Sequence, residues 1–197
     1  MWRRRGGVNI DQMKAKKSRK KRKRLLFRII VLVVLVAAVG YALVSNLTKD
    51  TTKIDVGTQA PDFELGQVNK NNELETVRLS DLEGKGVMLN FWATYCKPCE
   101  AEMPYMQKLY PEYKKKGIEI VAVSLDATEL IIDRFIDKYD LTFPIPHDKN
   151  GQVMDAYGVG PIPSTFFISP KGEVVKIVVG ALSLESLESY FKLIQPE

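Results

Sequence analysis

The sequence predicts an α/β domain built on one mixed β-sheet, preceded by a single membrane-spanning helix. From residue 86 onward, apolar strand-like runs alternate with amphipathic helix-like runs, and the series ends in a strand hairpin followed by a helix. That order favours a mixed sheet with helices on both faces. Near the N-terminus, 20 consecutive residues carry a single charge, which is typical of a transmembrane segment.

The apolar segment runs from Leu25 to Val44, and its one charge, Arg28, lies close to its N-terminal end. As a helix it would span about 30 Å, the thickness of the hydrocarbon core of a bilayer. It is longer than the apolar part of a typical cleaved signal sequence, so we expect a retained signal-anchor. Because basic residues crowd the preceding tail, residues 1–24, we expect that tail to stay in the cytoplasm. The prediction is a single-pass bacterial cell-membrane protein with an extracytoplasmic folded domain.

Charge is divided unevenly along the chain. Met1 to Val44 carries 13 of the 29 Lys and Arg residues and one of the 24 Asp and Glu residues, a net charge of +12. Residues 45–197 carry the remaining charges, with a net value of −7. Because the folded part is acidic, the basic isoelectric point belongs to the tail, and we expect no nucleic-acid partner.

A polar linker, residues 45–55, separates the apolar segment from the folded domain, residues 56–197. Val56 to Leu65 opens that domain as an extended piece, and Leu74 to Leu79 alternates apolar and polar residues like a half-buried strand. The turn-rich stretch Val68 to Glu73 lies between them. We therefore predict an N-terminal β-hairpin ahead of the main sheet.

The main sheet begins with Val87 to Trp92, a continuous apolar run interrupted only by Asn90. Such a run is typical of a strand buried on both faces. A helix-like run from Lys97 to Lys116 follows. The remaining predicted elements are a strand (118–125), a helix (128–139), a short helix (152–157), two strands (164–169 and 173–179) and a final helix (183–194).

The only two cysteines, Cys96 and Cys99, stand at the junction of that strand and that helix, separated by Lys97 and Pro98. Free N–H groups and the dipole at a helix N-terminus favour a thiolate. A thiolate attacks disulfides, and a second thiol close by can resolve the mixed disulfide that forms. Pro98 suits the first helical turn, where its missing N–H is not needed. The motif therefore predicts thiol-disulfide exchange.

Other roles for the cysteine pair have weaker support. A zinc site needs about four ligands, and the chain offers one histidine, His147, besides the cysteines. A purely structural disulfide across so short a loop would add only about 2 kcal/mol of stability. Attachment of a c-type haem needs a histidine directly after the second cysteine, where Glu100 stands. Chance spacing of two inert cysteines is the remaining alternative.

The order of elements, the W-x-x-C-x-P-C motif and the later Ile-Pro pair resemble the thioredoxin fold, over about Val56 to Glu197. Within that superfamily the chain is most similar to the membrane-anchored thiol-disulfide oxidoreductases of the ResA type, in the TlpA/ResA/DsbE-like group. The stretches that carry the resemblance are APDFEL, LSDLEGKGVMLNFWATYCKPC, IEIVAVSLD, DAYGVGPIPSTFFISPKGEVV and the leading apolar segment.

The resemblance implies a role for each matching residue of the site. Cys96 would be the more exposed nucleophile and Cys99 the buried resolving thiol. Pro163 matches the cis-proline that packs against the disulfide in this fold, and with Ile162 it would bind substrate beside Cys96. Trp92 would shield the site and contribute to substrate binding. The redox-active disulfide itself would serve in place of any cofactor.

Glu102 falls one helical turn after Cys99, where ResA-like proteins carry a glutamate that tunes the cysteine pKa values and moves protons. It gains importance because Asn90 stands where thioredoxins carry a buried aspartate, and an amide cannot shuttle protons at neutral pH. The competing acid, Glu100, is expected to point to solvent.

Two residues of the motif depart from the common pattern. Tyr95 stands where tryptophan is common, and Lys97 stands where ResA-like proteins often carry glutamate. By its charge alone, Lys97 should lower the pKa values of the thiols and raise the reduction potential.

The resemblance implies a monomeric, membrane-anchored reductase of disulfides in exported proteins. Apocytochrome c is the best-known substrate of the family, and a membrane electron carrier of the CcdA type is the implied donor. Envelope or spore-assembly proteins are alternative substrates. The alternative activities are a disulfide oxidase, a peroxiredoxin-like peroxidase suggested by APDFEL, and a redox sensor or binding module without turnover.

Overall fold

The computed structural model describes residues 26–41 and 54–197. The described residues fall into two separate units, one holding 26–41 and the other 54–197. Residues 26–41 are helical and are called α1 here. Within the two described ranges, no helix combines the length and the apolar character needed to cross a membrane. The predicted tail, most of the predicted linker and both ends of the predicted membrane segment lie outside the described residues.

The N-terminal hairpin is present but short. Strand β1 (Glu64–Gly66) pairs antiparallel with β2 (Thr76–Arg78), with Leu65 opposite Val77. The loop between them is tied to the main domain, because the buried side chain of Asn69 donates hydrogen bonds to the carbonyls of Leu141 and Phe143. A short 3-10 helix at Leu79–Leu82 follows β2 directly.

The main sheet is mixed, as predicted. Its four strands lie in the order β4-β3-β5-β6, with β3 and β4 parallel and the other two pairs antiparallel. These strands are β3 (Gly86–Trp92), β4 (Ile118–Ser124), β5 (Ser164–Ile168) and β6 (Val174–Val179). Every residue of β3, β4 and β5 is buried, as is typical of strands covered on both faces.

The hairpin and the helices within residues 54–197 cover the two faces of this sheet. The helices that follow α1 are α2 (Lys97–Lys115), α3 (Glu129–Tyr139), α4 (Gln152–Ala156) and α5 (Leu184–Ile194). Side chains alternate across a strand, so Met88 and Trp92 of β3 join the core cluster formed with α2, α3 and α5. Leu89 and Phe91 join a second cluster, formed with the hairpin and α4. The cysteine motif belongs to the first face.

Candidate active site

The two cysteines form a disulfide at the junction between β3 and α2. Cys96 is the N-cap residue of α2, and its Sγ accepts a hydrogen bond of 3.2 Å from the backbone N–H of Cys99. Cys96 is 8% exposed, whereas Cys99 is fully buried. The sulfur of Cys96 is therefore the one that a substrate can reach, and it lies where the helix N-terminus stabilises a thiolate.

The loop before β5 lies against the reachable sulfur. The Sγ of Cys96 is 3.7 Å from the carbonyl oxygen of Ile162, and the peptide bond between Ile162 and Pro163 is cis. Ile162 is half-buried, while Pro163 is buried. The structure therefore brings the Ile162 carbonyl, next to Pro163 in sequence, to the sulfur of Cys96. The substrate-binding role expected for Ile162 and Pro163 stays a prediction.

Trp92 does not line the surface of the site, contrary to the substrate-binding role expected for it. Its ring is fully buried, its Nε1–H donates to the carbonyl of Ala122 at 3.1 Å, and it packs against Phe135 with a centroid distance of 4.8 Å. The exposed aromatic residue beside the disulfide is instead Tyr95, which is 73% exposed. Trp92 packs in the core behind the motif. Tyr95 is the aromatic side chain that a substrate can contact.

Glu102 is completely buried on the face of the sheet that α2 covers, one helical turn after Cys99. Its Oε1 accepts a hydrogen bond from Asn90 Nδ2 at 2.8 Å, and its Oε2 accepts one from the backbone N–H of Leu182 at 2.9 Å. Burial raises the pKa of Glu102 to about 7, and the bonds from Leu182 and Asn90 oppose that shift. A group with this pKa can take up and release protons at neutral pH.

Asn90 connects this carboxylate to the sheet. Its Nδ2 donates a second hydrogen bond, of 3.0 Å, to the hydroxyl oxygen of Thr165 on the neighbouring strand β5. The carbonyl oxygen of the same amide, Oδ1, is buried and has no hydrogen-bond partner. The buried polar group formed by Asn90, Glu102 and Thr165 therefore holds one ionisable side chain, Glu102, and one acceptor without a partner, Asn90 Oδ1.

Glu100 does not point freely into solvent, which corrects the expectation from sequence. Its side chain is 18% exposed and forms ion pairs with Lys97 at 2.9 Å and Lys138 at 2.8 Å. It also accepts a hydrogen bond of 2.5 Å from the hydroxyl of Tyr139. The bonds from Lys138, Tyr139 and Lys97 lower the pKa of Glu100 to about 2. The acid is therefore held as a carboxylate that joins α2 to α3.

A further anchor of the motif was not predicted from the sequence. The buried carboxylate of Asp126 accepts hydrogen bonds from both the backbone N–H and the hydroxyl of Thr94, the latter at 2.7 Å. The hydroxyl of Ser124 donates to the same carboxylate at 3.0 Å. Asp126 thereby fixes the loop two residues before Cys96. The only sequence signal was an acidic residue directly after a buried strand.

Comparison with known proteins agrees with this geometry. The AhpC/TSA family matches residues 56–177. Over 190 residues the chain is 60% identical to the thiol-disulfide oxidoreductase ResA of Oceanobacillus iheyensis, which covers 96% of this chain and 99% of that protein. The chain belongs to the ResA family of thiol-disulfide oxidoreductases. Another ResA, from Geobacillus kaustophilus, is 47% identical over 162 residues, or 82% of this chain and 91% of that protein.

A solved structure with the same fold is the thiol:disulfide interchange protein DsbE from Chlorobium tepidum. It has a TM-score of 0.66 and 34% identity, and the match covers 72% of this chain and 99% of that one. The thioredoxin-like fold predicted from the sequence is therefore confirmed. As a ResA-family enzyme the chain uses a redox-active cysteine pair, and Cys96 and Cys99 are the only cysteines available to form it.

Proposed function

We propose that this ResA-family chain is a membrane-anchored reductase of disulfides in exported proteins, with apocytochrome c as a substrate. The observation that carries the proposal is the pairing of one reachable sulfur with one buried acid. Cys96 lies at the helix N-terminus beside the Ile162 carbonyl, and Glu102 lies one turn beyond the buried Cys99. This arrangement supplies a nucleophile on the outside and a proton acceptor on the inside.

The reaction transfers two electrons from the cysteine pair to the substrate. The Cys96 thiolate attacks a substrate disulfide, forms a mixed disulfide and releases one substrate thiolate. Glu102, with its pKa near 7, accepts the proton of the Cys99 thiol as that sulfur attacks Cys96. The second substrate sulfur leaves as a thiolate, and the pair ends as the Cys96–Cys99 disulfide. Ile162 offers its backbone to the substrate chain during the first attack.

The oxidised pair must then be reduced by a dithiol donor, for which we propose a membrane electron carrier of the CcdA type. We also propose that the segment Leu25 to Val44 anchors the chain, with residues 1–24 in the cytoplasm and the catalytic domain outside. The positive charge of the tail and the low charge of the segment support this topology. Membrane fractionation, followed by protease treatment of intact cells, tests it: the catalytic domain should be cleaved and the tail protected.

The activity is tested by measuring the reduction potential of the pair against glutathione, together with insulin reduction by dithiothreitol. If the protein is a reductase, the reduction potential of the pair should lie below about −200 mV and insulin reduction should be accelerated. A potential near −120 mV would instead identify an oxidase. An unchanged insulin rate would identify a binding module or sensor. Rapid peroxide consumption would support the peroxidase alternative.

A further inference from the structure

In the side-chain amide of Asn90, the nitrogen makes hydrogen bonds and the oxygen makes none. Its Nδ2 donates to Glu102 Oε1 at 2.8 Å and to Thr165 Oγ1 at 3.0 Å, so both N–H groups have acceptors. Its Oδ1 is buried without a partner, the only such side-chain atom found among the described residues. Burying an unpaired acceptor costs about 1–3 kcal/mol. This oxygen is therefore free to accept a hydrogen bond from a neighbouring protein group.

The location of Asn90 narrows the choice of donor. On β3 it lies between Met88 and Trp92, and both of these side chains pack in the same core cluster as Cys99. Glu102, which Asn90 holds, is one helical turn from Cys99, and side chains on a helix lean toward its N-terminus. The amide of Asn90 and the sulfur of Cys99 therefore face the same core cluster, with Glu102 in contact with the amide.

Few other groups could donate a hydrogen bond to Oδ1, and the neighbouring carboxylate of Glu102 is an acceptor for the Nδ2 end of the same amide. The contacts of Asn90 and Glu102 with β5 and with the loop before α5 are the Thr165 hydroxyl and the Leu182 backbone N–H. No charged side chain contributes to the pKa of Glu102. The Leu182 N–H is already bonded to Glu102 Oε2. In the disulfide form Cys99 carries no hydrogen, but reduction gives it an S–H group.

We propose that Asn90 is a positioning residue whose Oδ1 accepts a hydrogen bond from the Cys99 thiol in the reduced enzyme. Reduction adds two electrons and two protons from a dithiol donor, which itself becomes a disulfide. The S–S bond breaks, and the proton that remains on Cys99 Sγ meets Asn90 Oδ1. The same amide keeps donating to the Glu102 carboxylate. Asn90 thus holds the resolving thiol beside its proton acceptor without itself titrating.

The hydrogen bond from Cys99 can form only in the reduced enzyme, so it can be measured as a change in redox equilibrium. An S–H···O bond of ordinary net strength corresponds to roughly a threefold to tenfold effect. Asn90→Leu, which removes the acceptor at similar size, should therefore shift the equilibrium with glutathione toward the disulfide by roughly three- to tenfold, or up to about 30 mV. Thr165→Val removes a different partner of Asn90 and should stay within about twofold of the wild type.

A measurement on the unaltered chain keeps the proposal testable even if Asn90→Leu fails to fold. The side-chain amide carbonyl of Asn90, followed by carbon-13 NMR with selective labelling, should shift downfield when the disulfide is reduced. The amide of Asn69, which is buried and bonded to Leu141 and Phe143, is the internal reference and should not move. If the Asn90 signal stays in place while the Cys99 Cβ signal reports reduction, the proposal is wrong.

The inference rests on thiol-disulfide chemistry at the pair, as proposed above, but its test does not depend on the direction of electron flow. A wild-type potential near that of an oxidase would refute the reductase function and leave the Asn90 comparison intact. Equal redox equilibria for the wild type and Asn90→Leu would refute the role of Asn90 and leave the reductase function untouched.

Discussion

Replacing Glu102 with glutamine should remove one large component of the pH dependence of stability. Burial raises the pKa of Glu102 to about 7, against 4.5 for an ordinary glutamate. The folded state therefore favours the protonated acid. The stabilising contribution of this group is fully present below pH 4.5 and is lost as the pH rises to about 7. At 1.36 kcal/mol per pKa unit, the loss is about 3 kcal/mol.

The measurement is urea unfolding of the oxidised chain at several pH values between 4.5 and 8, because disulfide-bonded cysteines do not titrate. The free energy of unfolding of Glu102→Gln minus that of the wild type should increase by about 3 kcal/mol across this range. Any fixed cost of fitting the amide against the Leu182 N–H cancels in that comparison. A difference that stays level from pH 4.5 to 8 would show that Glu102 does not titrate there, and its proposed proton-accepting role would fail.

Three other substitutions test separate parts of the structure. Glu100→Gln should cost stability above pH 4.5 but not near pH 2, because the pKa of this carboxylate is lowered to about 2, and melting curves would show it. Asp126→Ala should slow alkylation of reduced Cys96 at least severalfold, since Thr94 loses its acceptor and the N-cap position that stabilises the Cys96 thiolate is held less firmly. Gly86→Ala should destabilise the fold by about 3 kcal/mol or more in urea unfolding, because its Cβ would lie 2.0 Å from the carbonyl oxygen of Ile194.

Each of these expectations has a result that contradicts it. For Glu100→Gln it is a stability difference from the wild type that does not change between pH 2 and pH 5. For Asp126→Ala it is an unchanged alkylation rate in a folded variant, with Ser124→Ala as the control that removes a single partner of that carboxylate. For Gly86→Ala it is a midpoint equal to that of the wild type, while Gly66→Ala, where a Cβ meets no atom within 4 Å, provides the matched control.

Local patterns in the sequence were sufficient to predict most of the elements. The run from Val87 to Trp92 predicted a strand buried on both faces, and all seven residues of β3 are buried. The same reasoning should have placed Trp92 in the interior, because a strand covered on both faces leaves no residue at the surface. Its expected contact with substrate came from the family resemblance and conflicted with the pattern of the strand itself.

Contacts between distant parts of the chain were not predictable in the same way. Periodicity assigns a side chain to a face but does not name its partner. Glu102 could be placed on the helix face near Cys99, yet its two donors come from Asn90 on β3 and from the Leu182 backbone, 80 residues away in sequence. The unpaired Oδ1 of Asn90 could not be predicted either, because it depends on contacts among β3, β5 and α2 that exist only in the folded chain.

The lysine inside the motif shows how such a contact changes a chemical conclusion. Considered alone, Lys97 adds a positive charge beside the thiols and favours an oxidising pair. In the structure its Nζ lies 2.9 Å from Glu100, a carboxylate that Lys138 and Tyr139 also hold, and the Lys97 side chain is 86% exposed. A paired and solvated charge acts weakly on a neighbouring sulfur. Lys97 therefore gives little support to an oxidase activity. The reduction potential of the pair should depend more on the buried side chains of Glu102 and Asn90.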